Sequence, residues 1–386
     1  MKIAIPTCGA DGGKSGISRY LIQLLKEFAE DDSGIEFQLI VYESEKNIFL
    51  PPNAKNFSVI TMPEKVKSPV KSLLWTVLKL PSLLKKLKSD VVFMPAANRR
   101  LTLRYPCPAV GTVHDFSSLH VEAKYDAARM FYIKKVLPFL IKKLDHILTV
   151  SESSKKDIVQ YVRVPPEKVT VTHLACDKNE FNPDSLPEAN ERIRKNYKLN
   201  APYFIYISRL EHPGKNHVSL IKAYEKMRMK INRKILLVLA GSDWNGAEEV
   251  HALAEKSDYK SDIIFTGFVP QCDTAELYRA AKAMIFPSRF EGFGLPILEA
   301  MACGIPVACS NCSSLPEIAG DAAMLFDPMN IEEISRILEC LALNNVQCDL
   351  LSQKGLKRAE EFSWKKTAEL TLNSLKNVQK EESNGQ

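Results

Sequence analysis

One stretch of the chain, residues 287–305, constrains the fold more than any other. It follows a short apolar run, Ala283–Phe286, which predicts a buried strand. Two glycines then form a tight loop, and a helix begins at about Pro296, a residue that suits the first helical turn. A strand, a glycine loop and a helix start predict an anion site, because backbone amides and the helix dipole both favour negative charge there. The amides expected to face a phosphate are those of Phe293, Gly294 and Leu295.

Two carboxylates belong to this stretch. Glu291 precedes the loop, and Glu299 lies one turn into the helix. Glu299 would accept hydrogen bonds from the paired hydroxyls of a ribose, and Glu291 would meet a second polyhydroxyl group on the other side of the phosphates. An acid in a first helical turn can also simply stabilise the helix dipole, so both interpretations of Glu299 stay open.

The spacing from Glu291 to Glu299, with Gly-Phe-Gly-Leu-Pro between them, resembles the E-x7-E motif of retaining nucleotide-sugar glycosyltransferases of family 4. The residues that continue to Val307 and segments near both ends of the chain resemble the same family. The resemblance implies the α/β GT-B fold, in which two Rossmann-like, doubly wound domains face each other across a cleft.

The alternation of predicted strands and helices fits two such domains. Residues 1–185 would form the N-terminal, acceptor-binding domain, and residues 186–365 the C-terminal, nucleotide-sugar-binding domain. Residues 366–386 would form a helix that crosses back to the first domain, with a disordered tail from Lys380. The best candidate for the linker is the polar stretch of residues 176–191.

The chain opens with a strand, a glycine-rich loop and a helix from about Ile17. The loop ends like a phosphate-binding P-loop at Lys14, but Cys8 stands where that motif has its first glycine. The segment of residues 16–20 looks like the first loop of the glycosyltransferase family. The resemblance implies that Gly16 lets the backbone approach the donor phosphates.

A predicted strand from residue 109 ends on His114 and Asp115. Ligands of open parallel sheets bind beyond the carboxyl ends of the strands, which makes His114 a candidate. A histidine satisfied within the core is the alternative. The resemblance implies that His114 faces the donor sugar.

The second half restarts with a strand over residues 203–207, and Arg209 and Lys215 follow in the next loop. Two cations beside a helix start suit a diphosphate, which develops charge as the sugar leaves. Two ordinary surface cations are the alternative, but the family has a similar Arg and Lys pair. Phe268 and Val269 resemble the segment whose backbone meets the nucleotide base.

The composition fits a globular chain of two domains: 386 residues, of which 45% are hydrophobic and 25% charged. No apolar run reaches the ~18–20 residues of a membrane span, and the N-terminus lacks a signal-peptide core. We therefore expect a cytoplasmic protein, which the basic segment described below would allow to lie peripherally at the inner face of the membrane. The 9 cysteines include one C-x-x-C, Cys309 and Cys312, without the second pair that a zinc site needs, so they are expected to be structural thiols.

The net charge of +6 is unevenly distributed. From Lys65 to Lys88 the chain carries lysines and no acid, interleaved with leucines and broken near Pro81. Such a segment can lie on an anionic membrane surface. Alternatively, it forms surface helices whose apolar face enters the core and whose lysines lie in water, and the pattern does not separate the two. No nucleic-acid-binding module accompanies the charge, so no nucleic acid is expected.

The resemblance implies a retaining hexosyltransferase, such as a mannosyltransferase of lipopolysaccharide or other cell-surface polysaccharide assembly. Its donor would be a UDP- or GDP-sugar, and its acceptor a hydroxyl of a glycan or a lipid-linked molecule. The expected catalytic residues are His114, Arg209, Lys215 and Glu291. No cofactor and no metal are expected, since no Asp-x-Asp follows a strand and the two cations replace the metal. The alternatives are a sugar-nucleotide epimerase, a phosphorylase, a non-catalytic sugar-nucleotide or membrane-surface binding protein, and a P-loop nucleotidase.

Overall fold

A computed structural model describes residues 1–13, 15–121, 126–184 and 187–385. Lys14, on which the P-loop alternative depends, lies outside these described residues.

The strands of the described residues are β1 (Lys2–Pro6), β2 (Glu36–Tyr42), β3 (Phe57–Met62), β4 (Val91–Met94), β5 (Ala109–Thr112), β6 (His146–Thr149), β7 (Val169–Val171), β8 (Tyr203–Ile207), β9 (Leu236–Ala240), β10 (Ile263–Gly267), β11 (Ala283–Phe286), β12 (Val307–Ser310) and β13 (Ala323–Phe326). The α-helices are α1 (Gly16–Ala29), α2 (Lys46–Phe49), α3 (Pro69–Leu78), α4 (Leu80–Leu87), α5 (Ser117–His120), α6 (Ala127–Phe131), α7 (Leu137–Ile141), α8 (Glu152–Asp157), α9 (Pro187–Asn196), α10 (His217–Lys230), α11 (Ala247–Glu255), α12 (Gln271–Arg279), α13 (Leu295–Ala302), α14 (Leu315–Ala319), α15 (Ile331–Leu343), α16 (Asn345–Glu360) and α17 (Trp364–Gly385).

The chain divides into two compact units. Unit 1 comprises Met1–Ser118, Tyr125–Leu174 and Ser363–Gln386, and unit 2 comprises Leu119–Lys124 and Ala175–Phe362.

Each unit is built on one parallel sheet. The seven-stranded sheet of unit 1 has the order β3-β2-β1-β4-β5-β6-β7, and the six-stranded sheet of unit 2 has the order β10-β9-β8-β11-β12-β13. Strands such as β9 and β11 are apolar and buried throughout, as expected for a sheet covered by helices on both faces. The strand order reverses between β1 and β4 in unit 1 and between β8 and β11 in unit 2. This arrangement confirms the prediction of two doubly wound α/β domains.

The C-terminal helix α17 belongs to unit 1. It packs on α1, β4, β5 and β6, and the hydroxyl of Thr367 donates a hydrogen bond of 2.5 Å to the carbonyl of His173. The helix continues to Gly385, whereas the sequence pattern predicted a helix that ends at Val378 and a disordered tail from Lys380. Residues 379–382 are all good helix formers, so nothing in them ends the helix.

Two other boundaries differ from the sequence-based expectation. Helix α9 begins at Pro187, inside the stretch predicted as a linker, because a proline and an acid suit a first helical turn and Ile193 is buried behind them. The sequence of residues 127–144 also predicts one helix, but a π-helical segment, Tyr132–Val136, interrupts it. Pro138 has no amide hydrogen for the preceding turn, which interrupts the α-helical hydrogen bonds there. Among the described helices, none has both the length and the hydrophobicity that a membrane span requires.

Candidate functional site

The reversal of strand order in unit 2 brings two loops together. Strands β8 and β11 are parallel neighbours, so the loops that follow them start at the same edge of the sheet. The loop after β8 carries Arg209 and Lys215, and the loop after β11 carries Glu291 and Gly294. Such a switch point is where open α/β sheets bind ligands.

Lys215 and Glu291 meet at this point. Nζ of Lys215 donates a hydrogen bond of 2.7 Å to Oε1 of Glu291, and the two side chains are only 20% and 15% exposed. The hydroxyl of Tyr206, a buried residue of β8, donates to the carbonyl of Lys215 at 2.9 Å and contacts Oγ of Ser288 at 2.9 Å. The two loops are therefore joined through a core side chain as well as through the ion pair.

The backbone around Glu291 is fixed by the loop that follows β12. The amide of Glu291 donates to the hydroxyl of Ser313 at 3.0 Å. The hydroxyl of Ser314 contacts the carbonyl oxygens of Glu291 and Phe293 at 3.0 and 2.8 Å. These two serines shape the glycine loop, and sequence reasoning assigned them no role.

Gly294 precedes the first residue of α13, Leu295, and adopts φ +100°. A Cβ at this position would lie 2.7 Å from Cδ2 of Leu315, a fully buried side chain. Glycine is therefore required here by both backbone conformation and space. The first amides of a helix lack intrahelical partners, so the start of α13 can receive an anion, and its contact with a phosphate stays a prediction.

Glu299 lies in α13 and is buried. Burial, followed by the nearby carboxylate of Glu299, raises the pKa of the Cys176 thiol to about 12. The Cys303 thiol, whose pKa is also raised to about 12 by burial, is affected by Glu299 in the same direction. The carboxylate is thus enclosed in unit 2 near two thiols. Its contact with a ribose stays a prediction.

Arg209 is half-exposed but held in place. Its Nη2 lies 3.1 Å from Oε2 of the buried Glu211, and its guanidinium stacks 4.9 Å from the ring centre of Trp244. Gly241, after β9, allows this packing, because a Cβ there would lie 2.0 Å from the carbonyl oxygen of Ser208. Glu211 and Trp244 were missed by sequence reasoning. Their positions in the sequence, after the carboxyl ends of β8 and β9, could have identified them as candidates.

Phe268 and Val269 follow β10 at the same edge of the sheet. Phe268 is strongly exposed, and its contact with a nucleotide base stays a prediction. The neighbouring strands β10, β9, β8 and β11 therefore present these two residues, Trp244, Arg209 and Glu291 in succession. With ~4.8 Å between strands, this row is about 14 Å long.

A buried histidine, missed by sequence reasoning, lies beside the ion pair. His217 begins α10, is fully buried, and has no hydrogen-bond partner for either ring nitrogen within the described residues. Burial, followed by the charges of Lys215 and His212, lowers its pKa to about 3. His217 is therefore neutral and packs at 4.7 Å from the ring of Tyr206. It thus helps to pack Tyr206, the core side chain that joins the two loops of the site.

In unit 1, His114 lies beyond the end of β5 and is buried. Its Nε2 lies 3.0 Å from the carbonyl oxygen of Pro95. A carbonyl only accepts hydrogen bonds, so in the neutral ring Nε2 carries the proton and Nδ1 is left as an acceptor. Burial lowers the pKa of His114, which favours this neutral form. A neutral imidazole can accept a hydrogen bond from a hydroxyl.

Gly16 is the first residue of α1, and a Cβ there would meet no atom within 4 Å. The carboxylate of Asp11 accepts hydrogen bonds from the amide of Ser15 at 3.1 Å and the hydroxyl of Ser18 at 2.7 Å. It also pairs with Arg99 at 2.9 Å. Burial raises the pKa of Asp11, but these hydrogen bonds outweigh it, so the pKa is lowered. An ionised carboxylate thus lies at the start of α1.

The described residues contain no group of three or more His, Cys, Asp or Glu placed to hold a metal ion. The site of unit 2 comprises the glycine loop, two cations that are each paired with an acid, and the buried Glu299. The structure brings Lys215 and Glu291 together, with Arg209 and Gly294 on the same two loops. His114 and Gly16 belong to unit 1.

Two family models match the chain. The model of Glycosyl transferases group 1 matches residues 188–358, and that of Glycosyltransferase Family 4 matches residues 14–180. O-antigen chain mannosyltransferase B of Escherichia coli is 35% identical over 271 residues, which are 69% of this chain and 70% of that protein. The serotype-specific mannosyltransferase WbdA of Escherichia coli is 30% identical over 275 residues, which are 70% of this chain and 33% of WbdA.

Among solved structures, the HepE protein of Anabaena in complex with UDP and glucose is similar over 98% of this chain and 100% of its own. The TM-score is 0.74 and the sequence identity is 17%, so this likeness concerns the fold alone.

Proposed function

This chain belongs to the glycosyltransferases of family 4 and has their GT-B fold, and from that premise we propose that it is a retaining, metal-independent hexosyltransferase. It would move a sugar, mannose in the first instance, from a nucleoside diphosphate sugar to a hydroxyl of a glycan or lipid-linked acceptor. The O-antigen and WbdA mannosyltransferases support mannose and a place in cell-surface polysaccharide assembly.

The observation that carries this proposal is the contact between Lys215 and Glu291 at the switch point of the unit 2 sheet. A cation for a phosphate and a carboxylate for sugar hydroxyls are needed within one sugar length of each other. Here they come from loops that follow two neighbouring strands. An ordinary pair of surface charges would not be enclosed in this way.

We assign the diphosphate to Arg209, Lys215 and the amides near Gly294, and the donor sugar to Glu291. The base would lie at Phe268 and Val269, and the ribose hydroxyls at Glu299. The row of about 14 Å along four strands is long enough for an extended nucleoside diphosphate. His114 and Gly16 are assigned to donor contact by the family resemblance.

Lys215 and Glu291 neutralise each other without a ligand. When a diphosphate draws the ammonium of Lys215 away, the carboxylate of Glu291 loses its partner and must find hydrogen-bond donors, which sugar hydroxyls supply. The intact sugar nucleotide should therefore bind better than the nucleoside diphosphate alone. This coupling would favour the complete donor over the product.

In the transfer step, the bond between the anomeric carbon and the diphosphate oxygen breaks, and a bond from the acceptor oxygen to the same face of that carbon forms. The leaving diphosphate takes the acceptor's proton. Arg209 and Lys215 stabilise the charge that develops on the leaving group, which is the role a metal would otherwise have. The configuration at the anomeric carbon is retained.

A cytoplasmic location is part of the proposal. All nine cysteines are free thiols, and unpaired thiols suit a reducing compartment.

The test is thermal stabilisation by GDP- and UDP-linked mannose, glucose and galactose, with and without a chelator. A donor at about ten times its Kd adds about 1.4 kcal/mol, or a few degrees of melting temperature. Lys215→Ala should remove this shift. The control, Lys222→Ala, changes an exposed lysine of α10 and should keep it.

Incubation of the stabilising donor with oligosaccharide acceptors, followed by NMR of the product, then shows whether the anomeric configuration is retained. Inversion, or activity that the chelator abolishes, would contradict the mechanism. Binding without transfer to any acceptor would favour a non-catalytic sugar-nucleotide binding protein. Release of an epimer of the donor would favour an epimerase.

A further inference from the structure

Helix α3 of unit 1 has an inverted amphipathic arrangement. Its exposed stripe consists of Val70, Leu74 and Leu78, which are 70%, 53% and 66% exposed and lie four residues apart on one face. Its buried residues are Ser72 and Thr76, which are both hydroxyl side chains. Helices of globular domains normally bury the apolar stripe and expose the polar one.

The buried hydroxyls of α3 are satisfied within unit 1. The hydroxyl of Thr76 donates to the carbonyl of Ser72 at 2.8 Å, and the hydroxyl of Ser72 accepts from Nε of Arg100 at 3.0 Å. Another nitrogen of Arg100 donates to the carbonyl of Pro69 at 3.1 Å. These hydrogen bonds hold α3 with its polar face inward, so the outward apolar stripe is a fixed feature of the fold.

The neighbouring helix α4 has the ordinary arrangement. Leu80 and Leu84 are buried, and Lys85 and Lys86 are exposed. For the segment from Lys65 to Lys88, the sequence left open an arrangement in which the apolar face enters the core. This arrangement is correct for α4 and wrong for α3. The break between the two helices lies at Lys79, next to the predicted position near Pro81.

Further exposed apolar side chains surround α3. The hydroxyl of Thr102 lies 3.4 Å from the carbonyl of Val77, which places the exposed Leu103 beside the end of α3. The exposed Phe131 ends α6, and Tyr132 after it is close enough to Arg100 to affect the pKa of its guanidinium. We define the basic apolar face as the α3 stripe, the exposed side chains beside it and the lysines at α3: Val70, Leu74, Leu78, Leu103, Phe131, Lys71 and Lys79.

The two segments that contribute most of this face are basic, whereas Leu103 also lies near Asp145, Glu381 and Glu382. Residues 65–88 include seven lysines and no acid, and residues 127–143 include four lysines, one arginine and no acid. Lys67 pairs with Glu45 at 3.1 Å, but Lys71 and Lys79 make no ion pair within the described part of the chain. The exposed aliphatic stripe of α3 thus lies next to two lysines, Lys71 and Lys79, that the described residues do not hold in ion pairs.

We propose that the basic apolar face docks on an anionic lipid bilayer. Interfacial helices insert an apolar face into the boundary between headgroups and acyl chains, and lysines beside them pair with anionic headgroups. Protein interfaces are depleted of lysine, so this combination fits a lipid surface better than a protein partner. The proposal does not depend on the proposed function, because it concerns binding rather than transfer.

The experiment is flotation of the full chain with vesicles of phosphatidylcholine alone or with one third phosphatidylglycerol. The chain should float only with the anionic vesicles, and high salt should release it, since screening shortens the reach of the lysines. Lys71→Gln with Lys79→Gln should weaken binding about 25-fold, at about fivefold for each lysine. Leu74→Asn with Leu78→Asn should weaken it about tenfold, because both side chains leave water on docking.

The matched controls are exposed residues of α10 in unit 2, Lys222→Gln and Met229→Asn, which should bind as the parent chain does. All substituted side chains are exposed, so circular dichroism melts should stay unchanged and separate lost docking from lost folding. Absence of the parent chain from floated anionic vesicles would overturn the proposal. Equal losses in the controls would also overturn it. If the chain self-associates without lipid, and Leu74→Asn with Leu78→Asn abolishes this association, the face is an interface between copies of the chain instead.

Discussion

Substitution of Gly294 tests the geometry of the glycine loop most directly. In Gly294→Ala, an L-residue must adopt φ +100°, which costs about 1–2 kcal/mol. The new methyl group also lies 2.7 Å from Cδ2 of Leu315, a side chain with no exposed surface. Displacing a packed core side chain adds about 1–3 kcal/mol. We therefore expect unit 2 to lose about 2–5 kcal/mol of unfolding free energy.

The assay is urea unfolding followed by tryptophan fluorescence. Trp244 is the only tryptophan of unit 2, so Trp75→Phe with Trp364→Phe leaves a reporter of that unit alone. With a slope of about 2 kcal/mol per molar urea, Gly294→Ala should lower the midpoint by about 1–2.5 M.

Two further variants separate the backbone cost from the steric cost of Gly294→Ala. Gly267 has φ +67° and an open Cβ position, so Gly267→Ala carries the backbone cost without the clash. Adding Leu315→Ala to Gly294→Ala removes the clash but leaves a cavity, and the two losses should be less than additive. If Gly294→Ala destabilises unit 2 no more than Gly267→Ala does, the steric reasoning is wrong.

Three more predictions concern the surroundings of the site. Glu211→Gln removes the carboxylate that holds Arg209, and steady-state kinetics should show kcat/KM about tenfold lower, since an ordered cation becomes mobile. Lys215→Met with Glu291→Met replaces the enclosed ion pair by apolar side chains, so urea unfolding should show at least parental stability while transfer is lost. Burial lowers the pKa of His217 from 6.5 to about 3 in the folded chain. Between these pH values the unfolded chain therefore binds a proton at this histidine that the folded chain does not. The contribution of the neutral His217 to the free energy of unfolding is complete above pH 6.5. It is lost as the pH falls toward 3, by at most about 1.4 kcal/mol per pH unit. His217→Phe should reduce the difference between the urea midpoints at pH 7 and pH 4.5.

The sequence allowed the sheets and the fold class to be predicted. Strands β8 and β11 were predicted at the residues where they occur, because a strand buried on both faces is a short continuous apolar run. Lys215 and Glu291 were each placed in a loop after such a strand and assigned to one donor site through the family resemblance. That β8 and β11 are neighbours, which brings the two loops together, was not predicted. Helix ends were predicted less well, as at α9 and α17, since composition changes gradually there.

The orientation of α3 could not be predicted. Periodicity shows that a helix has an apolar stripe, but it does not show which way the stripe points, because the same pattern fits either orientation. The decision depends on Arg100, whose hydrogen bonds to the polar face of α3 join residues far apart in the sequence. For the same reason the sequence did not reveal Trp244, whose stacking on Arg209 joins the loops after two different strands.

The ion pair itself distinguishes the site lysine from an ordinary surface lysine. An exposed pair changes stability by about 0–1 kcal/mol, whereas enclosing both charges removes much of their hydration, which their attraction only partly restores. Lys215 and Glu291 are enclosed to this degree, while Lys71 on α3 stays exposed. A fold selected for stability alone would fill the switch point with apolar side chains. Charged groups kept there at a cost are best explained by a ligand that needs both signs of charge, as a sugar diphosphate does.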